Sequence, residues 1–248
     1  MHPQTLLAIF AHPDDELGAA GTLLAQRARG DRVVILWLTR GEMTEALGPL
    51  PREEVARLRT EQGHRAGEIL GVETRFLDMP DTSLVATPEA AAEVARVIVD
   101  VRPDGLLTWG EGWTRGIRHP DHQVCGQIAR DAITLARIAK VVAPAAPHRA
   151  AVPVFTMRDV HSQLPVVAVD VSPYRRTISE LADFYAGAVG FGDPSWLEHR
   201  LRVAGEAWGF EYAEVFDAWE TMGGRTPSLL PAEPLLPVAH PDRAAARP

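Results

Sequence analysis

Residues 6–16 read Leu-Leu-Ala-Ile-Phe-Ala-His-Pro-Asp-Asp-Glu. Leu6 to Ala11 are apolar without alternation, which fits a strand buried on both faces, as in the interior of a parallel sheet. The run stops abruptly at His12, Pro13, Asp14, Asp15 and Glu16. Working outward, the same punctuation recurs. Leu17–Arg29 has helical spacing and stops at Gly30, and Val33–Leu38 is a second buried strand. A long helix runs from about Glu53 to Leu70 and ends at Gly71, followed by a weaker strand at Thr74–Leu77. Pro88 opens a helix to about Val101, Gly105–Trp109 is the fourth strand, and a helix spans about Asp121 to Ala139. Val152–Met157 and Val166–Val171 read as strands, Tyr174–Val189 and Trp196–Trp208 as helices. Short apolar strands alternating with amphipathic helices predict an α/β fold with a mostly parallel, open sheet.

The chain has 248 residues, 46% of them apolar, enough for a full core and too many for wholesale disorder. A net charge of −8 excludes a nucleic-acid coat, because there is no basic excess to neutralise phosphates. One cysteine, Cys125, excludes an internal disulfide framework and a Cys-rich zinc module. No apolar run approaches the ~20 residues of a membrane helix. The first residues lack a basic signal region, so the expected location is cytoplasmic, with no membrane partner. From Thr226 onward prolines recur at 227, 231, 234, 237, 241 and 248. Residues 1–225 are therefore expected to form one domain, and 226–248 an irregular tail that adds little to the core.

Two motifs carry chemistry. His12-Pro13-Asp14-Asp15-Glu16 follows the first strand, and His119-Pro120-Asp121-His122 follows the fourth. Ligands of open α/β sheets bind outside the carboxyl ends of strands, so in a parallel sheet both motifs share one edge. The plainer reading has the acids capping helices. It weakens once two such motifs meet at one edge. Together they offer two histidines and an aspartate to a metal with a place left for water, as in catalytic zinc sites.

This pair of motifs, about a hundred residues apart, resembles the PIG-L/LmbE-like family of zinc-dependent de-N-acetylases. The resemblance runs over roughly Leu6 to Ala132 and more loosely to about Phe216. Thr39-Arg40-Gly41-Glu42, Arg59 ahead of Ile69-Leu70-Gly71, and Pro80-Asp81 agree with it. It implies a Rossmann-like fold and removal of an N-acetyl group from an N-acetylglucosamine-type substrate, with one Zn2+ (iron(II) also suits such a site). His12, Asp15 and His122 match the family's metal ligands. Asp14 matches its general base, and His119 the histidine that acts as imidazolium on the oxyanion or leaving amine. Asp121 would orient His119 and raise its pKa. Arg59 and Asp81 match positions that contact the sugar, and Glu16 would support the ligands from behind.

Within the family, Gly41-Glu42-Met43 and the length lean toward a bacillithiol-type GlcNAc-malate precursor. The alternatives are an amidase acting on thiol S-conjugates and a non-catalytic sugar-binding relative. The expected partner is a small amino sugar, with a homo-oligomer left open. Two departures stand out: Gln62 replaces a frequent Glu, and Asp183-Phe184-Tyr185-Ala186-Gly187 lacks the usual His-x-Ser-Gln segment. Tyr185 then either replaces a polar contact or packs in the core. Cys125 reads as packing, and His64, His148 and His199 as surface or helix residues. Trp109 and Trp113 are either pocket walls or packing, and Ala239-His240-Pro241-Asp242 mimics the first motif by letters only.

Overall fold

In a computed structural model, residues 2–110, 119–159 and 161–232 are described. Trp113, the motif-like Ala239–Asp242 and Leu235–Leu236 lie outside them. Eight strands form one sheet: β1 (Thr5–Phe10), β2 (Arg32–Trp37), β3 (Glu73–Phe76), β4 (Gly105–Trp109), β5 (Val154–Met157), β6 (Val166–Asp170), β7 (Ala213–Ala218) and β8 (Gly224–Thr226). Their order is β3-β2-β1-β4-β5-β7-β6-β8. The first five are mutually parallel, which suits the apolar runs of β1, β2 and β4; β3, Glu-Thr-Arg-Phe, is the half-buried edge. β7 runs antiparallel to both β5 and β6, and β8 is parallel to β6. Leu6 to Phe10 at the sheet centre are wholly buried. None of the described helices is long and apolar enough to cross a membrane.

The helices are α1 (Ala20–Ala28), α2 (Arg52–Leu70), α3 (Pro88–Val101), α4 (Pro120–Ala136), α5 (Ala139–Val142), α6 (Arg175–Val189) and α7 (Ser195–Trp208). Six of them fall into two packed groups, α3 with α4 and α5, and α1 with α2 and α6, while α7 packs on β7. Thr87 caps α3 by accepting from Ala90 N, with Pro88 in the first turn. Gly71 ends α2 with φ 66, a left-handed conformation that glycine adopts at little cost.

The structure departs from expectation in three places. Residues 17–29 are not one helix: a 3-10 turn, Asp15–Ala19, precedes α1. The cap of α1 comes from afar, because the buried Glu214 of β7 accepts from Gly21 N at 2.9 Å and Thr22 N at 2.8 Å. A carboxylate there also suits the positive end of the helix dipole. His148 is buried, with Nε2 2.9 Å from the Pro103 carbonyl. The expected tail, finally, is docked at its start. Leu229 and Leu230 are buried, and Gln26 bonds both the N–H and the carbonyl of Leu230 at 2.9 and 3.2 Å. Leu230 lies over Gly105, where a Cβ would come within 2.7 Å of it. Prolines hid two leucines that find an apolar seat at the foot of β4.

Candidate metal centre

β1 and β4 are adjacent and parallel, so their carboxyl ends lie at one sheet edge. His12 leaves β1, and His119 caps α4 through Nδ1, which accepts from Asp121 N at 3.3 Å. Ring nitrogens of His12, His119 and His122 lie within 4.8 Å of one another. Asp15 Oδ1 is 3.1 Å from His122 Nε2, and Asp15 Oδ2 is 3.8 Å from His12 Nδ1. Atoms sharing a tetrahedral ion at about 2.0–2.1 Å are roughly 3.3 Å apart, which the Asp15 Oδ1–His122 Nε2 pair meets; a second set of donor atoms within 4.8 Å of one another comes from His12, Asp81, His119 and Asp121. Asp15 Oδ2 accepts from Ala11 N, His12 N and Trp109 Nε1 at 3.0, 3.0 and 3.1 Å, which leaves Oδ1 turned toward His122. Such outer donors orient a metal-binding carboxylate. Trp109 also stacks on His122, ring centroids 3.8 Å apart and 5° from parallel. Imidazoles with carboxylates form a donor set for zinc or iron(II).

Asp14 lies beside this group with φ 113, in the left-handed region that a non-glycine residue rarely adopts. Three contacts hold it there. Its N–H donates to Glu16 Oε2 at 2.9 Å, and Arg59 donates both to its Oδ2 at 2.5 Å and to the Pro13 carbonyl. Glu16 is itself fixed by Trp37 Nε1 at 3.2 Å and Tyr185 OH at 2.6 Å.

The charges follow from this packing. Burial opposes protonation of His12, but Asp121, Asp81 and Asp15 outweigh it and push its pKa up to about 10. A field that holds a proton so firmly also favours a metal cation. Burial raises the pKa of Asp15, yet His122 and His12 hold it well below the usual carboxylate range. Burial carries Asp14 up to about 6, with Arg59 opposing. Burial carries Glu16 up to about 7, against its bond from Tyr185.

The structure brings His12, Asp14, Asp15, Asp81, His119, Asp121 and His122 together, but the role of Asp121 changes. Asp121 was expected to orient His119 with its carboxylate. Instead that carboxylate accepts from Thr82 N at 2.7 Å and Leu84 N at 3.3 Å and lies 3.2 Å from His12 Nε2. Only its backbone N–H serves His119. The pKa of His119 is accordingly lowered and not raised, because burial and the charge of His12 outweigh Asp121. Arg59, expected with Asp81 to touch the sugar, lines the cavity together with it; Arg59 is 2% exposed and bonded to Asp14, Pro13 and Gln62. Asp81 is likewise buried, accepting from Met43 N at 2.9 Å with Oδ1 3.0 Å from His12 Nε2. Tyr185 combines both readings, being fully buried yet bonded to Glu16. Cys125 is buried, and burial pushes its thiol pKa well up. Sequence reasoning missed Trp37 and Glu42. Both sit on or just after the second strand, and only folding brings them to Glu16 and to Asp81 N.

A cavity of about 860 Å³ opens over the centre, with His12, Asp14, Asp15, His119 and His122 in its wall. The family model described as PIG-L, GlcNAc-PI de-N-acetylase, matches residues 7–133. Diacetylchitobiose deacetylase of Thermococcus kodakarensis is 37% identical over 133 residues, 53% of this chain and 49% of that protein. A 1D-myo-inositol 2-acetamido-2-deoxy-alpha-D-glucopyranoside deacetylase of Kineococcus radiotolerans is 34% identical over 153 residues, 48% of this chain and 42% of its own. The chain thus spans about half the length of the curated relatives it matches. Among solved structures, the conserved protein TT1542 from Thermus thermophilus superposes with TM-score 0.73 at 29% identity, covering 87% of this chain and 94% of that one. GalB, the 4-carboxy-2-hydroxymuconate hydratase of Pseudomonas putida, superposes with TM-score 0.75 at 20% identity, covering 87% and 95%. That likeness shows the shared fold alone.

Proposed function

This chain belongs to the PIG-L family of GlcNAc-PI de-N-acetylases, and from that premise we propose that it hydrolyses the N-acetyl group of an N-acetylglucosamine-type sugar, with one divalent ion, zinc foremost. The observation that carries the reading is the gathering of His12, His119 and His122, with Asp15 3.1 Å from His122, beside a second carboxylate, Asp14, that lines the cavity. His12, Asp15 and His122 would hold the ion. When bound there, it would polarise the amide carbonyl and acidify water at neutral pH.

Asp14 is the proton acceptor. Its carboxylate is pinned by Arg59 and its backbone by Glu16, so it arrives oriented. His119 is the donor opposite. Because its Nδ1 accepts a backbone N–H, the neutral ring carries its proton on Nε2, where it can donate a hydrogen bond to a developing oxyanion. Asp121 and Asp81 act through His12, fixing its ring from the Nε2 side. The Glu42–Met43 stretch holds Asp81 in place and therefore serves the centre more than it selects a malate-bearing sugar.

The test is acetate release from N-acetylglucosamine, diacetylchitobiose, GlcNAc-inositol and GlcNAc-malate, with and without chelator. Chelator-sensitive release from at least one is expected. No release from any, or release indifferent to chelation, overturns the reading.

A further inference from the structure

The cavity has a second wall that takes no part in the metal chemistry. Phe191, on the loop before α7, and Trp196 and Arg200 of α7 line it, with Val215 of β7. Phe191 and Trp196 are 42% and 45% exposed, the two large aromatic side chains among the described residues left so open, and both face this one cavity. Aromatic surface gathered at a cavity rim marks a binding site, whereas scattered apolar residues do not. Phe191 is set between Gly190 and Gly192, with φ 71 and 72, a turn that glycine permits.

Trp196 and Arg200 are four residues apart on one helix and so share a face. The Arg200 guanidinium lies 5.6 Å from the Trp196 ring centroid. Among the described residues Arg200 forms no ion pair, and its hydrogen bond is to the Gly18 carbonyl at 3.4 Å. On this side Arg158 pairs with Asp217, while Glu214, which caps α1 and also lines the cavity, attracts the Arg200 guanidinium without forming an ion pair with it. Gly18 follows Asp15 by three residues in the same 3-10 turn, a rise of about 6 Å. By these steps the Arg200 guanidinium lies roughly 10 Å from Asp15, within reach of a substituent on a sugar held at the centre.

We propose that this wall is a subsite for the substituent carried by the amino sugar, and that it takes a flat, apolar, preferably aromatic group bearing a negative charge. The ring would lie against Trp196 and Phe191, and the anion would meet Arg200. This rests on the deacetylase reading above and names the class of substrate.

Acetate release is compared for the methyl, phenyl and 4-carboxyphenyl glycosides of N-acetylglucosamine. In the wild type, kcat/KM should favour phenyl over methyl by about 2–10-fold. It should favour 4-carboxyphenyl over phenyl by about tenfold, the effect of one charge-assisted bond. Arg200→Gln should bring the 4-carboxyphenyl-to-phenyl ratio to about one, and Trp196→Ala the phenyl-to-methyl ratio. A wild-type ratio near one, or a ratio that survives its variant, overturns the subsite. If none of the three releases acetate, the deacetylase reading stands or falls on the panel given with it, and the subsite is judged by calorimetric titration of 4-carboxyphenyl glucosaminide. Binding weakened about tenfold in Arg200→Gln supports it. No binding, or binding indifferent to Arg200, overturns it.

Discussion

Arg59→Met removes the guanidinium that donates to Asp14 Oδ2 and to the Pro13 carbonyl. The Arg59 side chain is 2% exposed and that of Asp14 19%, so little water can replace it. Burial raises the Asp14 pKa and Arg59 opposes it, leaving it at about 6. A neighbouring arginine holds a carboxylate about 1–3 pH units lower than it would otherwise titrate. Without Arg59 the Asp14 carboxyl should therefore titrate about 1–3 pH units higher than in the wild type. A cation on Asp15 lowers the value in both proteins, so the displacement is the observable. A proton acceptor must be ionised, and activity falls as pH drops through its pKa. A raised pKa moves the acid limb of kcat/KM to higher pH. Below both midpoints the variant should be slower by about 10–10³-fold, and the gap should close at high pH. Arg59→Lys keeps the charge but not the planar fork, and should shift the limb less. The assay is the pH profile of acetate release, with metal content measured on each protein. Superimposable acid limbs in metal-loaded wild type and Arg59→Met would refute the role given to Asp14, to Arg59, or to both.

Asp14→Asn should keep the metal and lower kcat by about 10²–10⁴-fold; loss of metal together with activity would make Asp14 a ligand. His122→Ala should lose most of one equivalent of metal, read by elemental analysis of the purified protein, and equal content in both proteins would remove His122 from the ligand set. Leu230→Ala leaves a void over Gly105 in a fully buried seat. It should cost about 2–5 kcal/mol and lower Tm by roughly 4–20 °C, measured by calorimetry, and an unchanged Tm would show that the docked segment is dispensable.

Most of the parallel half of the fold was legible because β1, β2 and β4 are largely apolar runs set off by Gly and Pro, with β3, Glu-Thr-Arg-Phe, the weaker signal. β7 was not. Its Glu214 and Asp217 are buried polar residues, one capping α1 and the other paired with Arg158, so the segment Ala213–Ala218 reads as neither alternating nor apolar. The two motifs were legible as pieces of one centre because strand ends and histidines coincide. What held them was not legible. The Glu16–Tyr185 bond spans 169 positions and the Arg59–Asp14 bond 45, distances over which sequence carries no pairing signal. Asp121 was misread for a related reason. Adjacency to His119 suggested a carboxylate partner, but the first turn of α4 points that carboxylate at the loop of Thr82 and Leu84.

The cavity is completed by residues from beyond the stretch that defines the family. His12 to His122 fall within residues 7–133, while Phe191, Trp196, Arg200 and Val215 lie after it. The two sets meet because β7 doubles back between β5 and β6. Chemistry and selectivity are thus written on separate lengths of polypeptide. Drift in the later length can retune what is accepted while the donor set stays intact, a route by which one reaction could be inherited unchanged and its clientele replaced.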